Sequence, residues 1–272
     1  MINNVKTIYF SPMGKTKEAA ELLGRKLAES LGCPMELISY TYPEERLKSA
    51  VFSGNELVIW ATPVYAGRIP NKTLDYVKSA IRGSETPAIP VVTYGNRSFD
   101  NALAELAGIM KENGCIPFAG AAVPAQHAFS KVLAKGKPSK EDYEELEAFA
   151  IRSAQKIKDN NISSIRVPGE EHPEKYYVPK KTDGSPAAFL KAKPVVDESR
   201  CCGCGACVNL CPMGSIQLDG LISVTAGTCI KCQACVRGCR MQARYFDNEE
   251  FLSHVKMLEE NYMEAKKISF FE

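Results

Sequence analysis

Through the first 160 residues, short apolar or β-branched runs alternate with amphipathic stretches. VKTIYF (5–10), MELISY (35–40), ELVIWA (56–61), AIPVVTY (88–94) and IPFAGAAV (116–123) read as strands. Between them, apolar positions recur at helical spacing near 15–31, 71–82, 99–113 and 140–158. Strand and helix in regular alternation predict an α/β fold, a doubly wound five-stranded parallel sheet. ELVIWA and AIPVVTY are almost continuously apolar, as strands covered on both faces are. Ser139 with Asp142 three residues on predicts a capping box for the last helix, with Asp in place of the usual Glu or Gln.

From 161 to 195 the periodicity stops and proline and glycine recur, which predicts an irregular linker wrapping a surface. A small cysteine-rich domain is expected over 196–248, following a sheet domain over 1–160. In the final stretch, 249–272, Phe251, Leu252, Val255, Leu258, Tyr262 and Met263 form one helical stripe, so a helix and tail should pack on one of the domains.

Length and charge narrow the classes. The 272 residues allow one ordinary core and a small satellite. With 34 basic and 32 acidic side chains, no field of one sign points to nucleic acid or an anionic membrane. No apolar run reaches the ~20 residues a membrane helix needs, and MINNVKTIYF lacks signal-peptide order, so the cytoplasm is the expected compartment. Of eleven cysteines, nine fall within 201–239, a clustering that reads as metal binding rather than disulfide bonding.

Cys201, Cys204, Cys207 and Cys211-Pro212 form C-x2-C-x2-C-x3-C-P, and Cys229, Cys232, Cys235 and Cys239 repeat the spacing 28 residues later. The repeat also pairs Met213 with Met241, Leu218 with Phe246 and Asp219 with Asp247. Three thiolates at i, i+3 and i+6 let a loop wrap three corners of a cubane, while the fourth, entering a new turn, points to the other half. The alternative is a pair of zinc sites, which need only four thiolates around one ion. This block resembles the bacterial two-cluster ferredoxins. The resemblance implies one [4Fe-4S] cluster on Cys201, Cys204, Cys207 and Cys239 and another on Cys229, Cys232, Cys235 and Cys211. Arg240 departs from the pattern, standing where proline is usual, and its charge is expected to raise a local potential; Cys202 is read as a bystander. Cys33 and Cys115 are read as small core hydrophobes.

After VKTIYF comes SPMGKTKE, whose Gly14-Lys15-Thr16 imitates a triphosphate loop. Five places before Gly14 stands Tyr9 instead of the required glycine, so an ATPase reading loses its anchor. A short hydroxyl-bearing loop leading into a helix suits a single terminal phosphate, as in FMN. Ser11, Gly14, Thr16, Ala20 and Leu23 follow the spacing of the flavodoxin signature, and the stretch resembles flavodoxins, with Thr7 replacing an aliphatic residue and Met13 a hydroxyl. Pro12 removes a donor, and Lys15 is expected to compensate by charge.

The resemblance implies two more flavin loops: Thr62, Pro63, Val64, Tyr65 and Gly67 after the third strand, then Gly95, Asn96, Arg97, Phe99 and Asp100 after the fourth. Tyr65 or Phe99 would cover the flavin ring, whereas Trp60 is expected in the core.

Taken in this order, the two halves resemble the flavodoxin-ferredoxin fusion proteins of anaerobic microbes. The implied function is transfer of low-potential electrons between two [4Fe-4S] clusters and FMN, with a soluble redox protein as partner. A homodimer is compatible with the sequence. The competing expectation is an FMN-dependent reductase acting on its own small organic substrate, with His127 relaying a proton to the flavin.

Overall fold

The computed structural model describes residues 1–47 and 49–272. Five strands alternate with four helices: β1 (Asn4–Tyr9), α1 (Lys15–Leu31), β2 (Met35–Ser39), β3 (Glu56–Pro63), α2 (Asn71–Ala80), β4 (Thr86–Tyr94), α3 (Ala102–Glu112), β5 (Gly120–Pro124) and α4 (Lys140–Lys158). The strands lie parallel in the order β2-β1-β3-β4-β5, with Val5 opposite Met35 and Leu57, and Thr62 opposite Val92. That is the flavodoxin-like doubly wound order, which reverses direction between β1 and β3. The fifth apolar run is split, Cys115–Pro117 pairing low on β4 and β5 pairing above it.

Helices cover both faces. Leu23 and Leu27 of α1 pack with Leu146 and Phe149 of α4 over Val5, Ile59 and Val91. On the other face, Val77, Leu103, Leu106 and Met110 cover Ile8, Val58 and Val92. Full burial of side chains of this size contributes ~1.5–3 kcal/mol each before entropy is counted. At Gly24 a Cβ would stand 2.1 Å from the Thr7 hydroxyl, so α1 lies directly on β1 only because that side chain is missing. Trp60 is 1 % exposed, and its indole donates to the Tyr40 hydroxyl at 3.0 Å, which makes it core. Ser139 and Asp142 form the expected capping box: the Asp142 N–H donates to Ser139 Oγ, and the Ser139 N–H to Asp142 Oδ2.

Beyond α4 the chain crosses the rim of the sheet without regular structure. Its tyrosines hold it there: the Tyr176 hydroxyl donates to the Ile69 carbonyl at 2.9 Å and the Tyr177 N–H to the Ala66 carbonyl at 2.8 Å. Arg68 lies over the Tyr176 ring and Arg97 over the Tyr177 ring.

The cysteine-rich part folds as two similar halves. Each has a one-turn helix, Ala206–Asn209 and Ala234–Arg237. The hairpin β6 (Ile216–Asp219) and β7 (Ile222–Thr225) follows the first, whereas in the second Arg244–Tyr245 pairs with Val195–Val196 at the end of the linker. Left-handed backbone recurs at equivalent places, Gly203, Gly205 and Gly214 against Lys231, Gln233 and Gln242. The second half therefore takes the same path with side chains that prefer it less, at a cost of order 1 kcal/mol each.

Helix α5 (Glu249–Asn261) is capped by the Asn248 side chain, which accepts from the Phe251 N–H at 2.9 Å. The expected helical stripe stops at Asn261, and β8 (Ser269–Phe271) then adds antiparallel to β5 at the edge of the large sheet. The cysteine-rich part is thus tied to the sheet at both of its ends.

Candidate cluster and flavin sites

Each half of the cysteine block supplies three thiols to one recess and its fourth to the other. One recess is lined by Cys201, Cys204, Cys207 and Cys239, together with Leu218, Met241 and Arg244. The other is lined by Cys229, Cys232, Cys235 and Cys211, together with Ile216, Lys231 and Phe246. These are the two crossed sets that the resemblance to two-cluster ferredoxins implies.

Backbone N–H groups point at the sulfurs in the same repeated pattern. Ser215 donates to Cys211 Sγ and Ala243 to Cys239 Sγ, both at 3.3 Å, and Lys231 donates to Cys229 Sγ at 3.4 Å. Such donors favour thiolate and stabilise a reduced cluster.

All eleven cysteines are free thiols. Among the described residues no three or more His, Cys, Asp or Glu side chains are arranged to hold a metal ion. The thiols surround a recess, which suits a group of several atoms better than one tetrahedral ion. A buried cation with nothing to balance it points the same way. Arg244 is 2 % exposed, no carboxylate among the described residues pairs with it, and its Nε has no hydrogen-bond partner. An unpaired buried charge is costly, so the neighbouring recesses suit anionic contents. The donor set and this orphaned group both fit iron-sulfur clusters.

The recesses differ in exposure. Cys202 and Cys204 are exposed at the first, and Leu221 beside it is 75 % exposed. Hydrogen bonding from the Gly203 backbone is the main influence holding the Cys201 thiol below its usual range. In the second recess Cys232 and Cys235 are buried, and burial pushes Cys229 and Cys235 up and Cys232 to about 12. Those thiols would ionise only against a positive centre such as bound iron.

The second recess also faces the sheet. Ile230 packs against the core on the α2–α3 face, and Arg46, just past β2, donates to the Pro212 carbonyl at 2.7 Å while holding the carbonyls of Tyr40 and Thr41. Burial raises the Tyr65 hydroxyl well above its usual range, with Cys232 and Cys229 adding to the effect. Tyr65, expected to cover a flavin ring, therefore neighbours the thiols of the second recess.

At the carboxyl edge of the sheet, the three loops expected to hold a flavin come together. The Thr16 and Thr93 hydroxyls share a 2.6 Å bond, and the Val64 N–H donates to the Thr93 carbonyl at 2.8 Å. Gly67 lies in a tight turn at φ 79, where a Cβ would stand 2.3 Å from the Asp100 carboxylate, and the Asn101 N–H donates to the Gly67 carbonyl. No side chain can be added there without separating the second and third loops.

Several of the expected flavin residues are occupied by protein contacts. Ser11 Oγ accepts from the Lys17 N–H, its own N–H donates to Thr41 Oγ1, and Lys15 pairs with Glu18 at 2.7 Å. Met13 is 37 % exposed, and Thr62 is fully buried with Pro63 following at the end of β3. The Asn96 amide donates to the Tyr262 and Glu264 carbonyls and accepts from the Lys266 N–H, which fixes the tail after α5. Arg97 pairs with Asp100, and Phe99 sits edge-on to Tyr94 and Phe271. What remains for a phosphate is the very start of α1, at Lys15 and Thr16, where Gly14 offers no side-chain cap, while Ser11 Oγ already takes the Lys17 N–H; it lies at the reversal in strand order. That cradle fits the phosphate of FMN.

His127 lies against the third loop, at a place where a Cβ on Gly95 would meet its ring at 2.3 Å. Its Nδ1 accepts from the Phe129 N–H, which assigns the proton to Nε2. Burial, followed by the charges of His254, Arg97 and Arg237, pushes its pKa down to about 3. A neutral imidazole of this kind donates a hydrogen bond at pH 7 but carries no extra proton to give. Below about pH 6.5 the unfolded chain protonates this side chain first, so stability should fall by up to about 1.4 kcal/mol per pH unit towards pH 3. Denaturation midpoints of His127→Gln against the parent across that range should lose this share of the slope.

Sequence reasoning missed Arg46, the Arg68–Glu105 pair, the linker tyrosines and Arg244. Only Arg244 left a sequence signal: 28 residues earlier stands Ile216, buried and apolar, so the repeat puts a charge at an interior position.

The 4Fe-4S binding domain family matches residues 194–217. An uncharacterized ferredoxin of Methanocaldococcus jannaschii is 33% identical over 75 residues, which span 26% of this chain and 50% of that relative, so the match reaches only half the relative's length. A flavodoxin from the domain Archaea superposes on 57% of this chain and 99% of its own, at TM-score 0.41 and 18% identity. Flavodoxin 2 from Bacillus cereus gives the same figures. Among the described residues no helix is long and apolar enough to cross a membrane. The first part has the strand order of a flavodoxin-like sheet and the last part matches the 4Fe-4S binding domain family, a layout similar to that of a flavodoxin-ferredoxin fusion.

Proposed function

We propose that the chain is an electron-transfer protein that relays low-potential electrons between two [4Fe-4S] clusters and FMN. The observation that carries this reading is the seating of the Cys229–Cys232 turn against Tyr65 and the carboxyl edge of the sheet, where flavin binds in sheets of this order. Clusters of this type carry one electron each, and flavin takes one or two, so a chain holding both can split or collect electron pairs.

The residues divide the work. Cys211, Cys229, Cys232 and Cys235 hold the inner cluster, and Cys201, Cys204, Cys207 and Cys239 the outer one, whose exposed rim at Cys204 and Leu221 is open to a soluble redox partner. The first turn of α1 takes the phosphate of FMN. Tyr65 stands beside the inner thiols at the second loop. Anchoring by Asn96, by β8 and by the strap of Tyr176 and Tyr177 keeps the two parts in one register, so that electron transfer needs no domain movement. The neutral His127 lends no support to a reductase that takes its proton from this side chain.

Anaerobic reconstitution of the full chain tests the reading. Iron and sulfide for two cubanes and one FMN per chain are expected, with both chromophores bleaching in a reductive titration. A chain that takes up iron and sulfide yet binds no flavin would remove the relay.

A further inference from the structure

The first half of the repeat buries Ile216, and the second half buries Arg244 at the same place. Arg244 Nη1 donates to the Ser223 carbonyl at 3.2 Å and to Ser223 Oγ at 2.8 Å, and Nη2 donates to Thr225 Oγ1. All three acceptors belong to Ser223 and Thr225 on β7, and they hold the guanidinium in place without neutralising it. Its charge reaches both thiol sets. Arg244 lines the recess of Cys201, Cys204, Cys207 and Cys239. On the other side its side chain lies beside the Cys235 thiol of the second recess. Cys207 of one recess and Cys235 of the other share one buried apolar cluster with Ile216, which marks the place where the two recesses meet.

We propose that Arg244 is the shared counter-charge of the two clusters, a positioning residue that raises both reduction potentials together. This rests on the two-cluster reading above. Reduction adds one negative charge to a cluster, and a fixed cation that solvent cannot screen stabilises the reduced form of each cluster within its reach. Arg240, the charge that sequence analysis singled out, is exposed and screened by water, so it has the weaker effect.

Spectroelectrochemical titration of anaerobically reconstituted full-length Arg244→Gln, Arg244→Lys and parent protein tests this. Iron and sulfide per parent chain report separately on the two-cluster reading. With cluster content preserved, Arg244→Gln should shift both cluster reductions to more negative potential, and Arg244→Lys should keep both closer to parent. If only one reduction moves, or neither does, or Lys falls as far as Gln, the shared counter-charge is wrong. Should Arg244→Gln fail to load clusters, the lysine variant decides. Two clusters at near-parent potentials show that charge is the requirement, whereas failure to load or a full negative shift overturns the proposal.

Discussion

Cys211→Ser is expected to remove half of the iron and sulfide from the reconstituted protein, and the half it removes belongs to the recess of Cys229, Cys232 and Cys235. Along the chain Cys211 follows Cys207, yet the fold turns it into the opposite recess. Serine is a hard, weakly acidic donor in place of a soft thiolate, too poor a ligand to hold the fourth corner. The Cys201, Cys204, Cys207 and Cys239 recess keeps all four thiols, so one cluster and its low-temperature EPR signal when reduced should survive. The mirror variant, Cys239→Ser, should spare the other set. Were ligation local to each half, the losses would be exchanged between the two variants, a result that iron analysis and EPR separate directly.

A second large effect is expected at Glu105, 2 % exposed on α3. It accepts from the Arg68 guanidinium and from the Ile69 N–H at 3.1 Å. Its hydrogen bonds are the main cause holding Arg68 above its usual range. Glu105→Ala leaves that guanidinium buried without a counter-ion, so unfolding free energy should drop by about 3–5 kcal/mol in a denaturant titration. Arg68 also donates to the Glu174 carbonyl and supports the Tyr176 ring, so the strap held at Ala66 and Ile69 should loosen as well. Proteolysis within 170–180 should therefore accelerate more in Glu105→Ala than in a surface control such as Glu145→Ala. A change below about 1 kcal/mol would mean that the pair contributes little here.

Much of the sheet was legible because its signals are local. Helix α1 starts where Gly14 and Lys15 announce it, and the Ser139–Asp142 box opens α4 at the expected residue, since cap geometry involves only neighbours along the chain. Where the reading ran short, distant partners decided. The run IPFAGAAV broke into two strands because Cys115–Pro117 and Gly120–Pro124 pair with different parts of β4. Ser269–Phe271 became a strand only because β5 left an open edge beside it. Asn96 matched a flavin loop, but its amide is taken up by the tail more than 160 residues away.

The sequence alone determined the alternation of strands and helices and the two copies of one cysteine spacing, because periodicity and ligand spacing are written along the chain itself. Tertiary structure alone decided that the second thiol set sits against Tyr65, that the linker and tail fix the two parts together, and that an unpaired guanidinium lies where the recesses meet. The physical reason is that burial and electrostatic proximity depend on distances in space, and a single sequence records only distances along the chain.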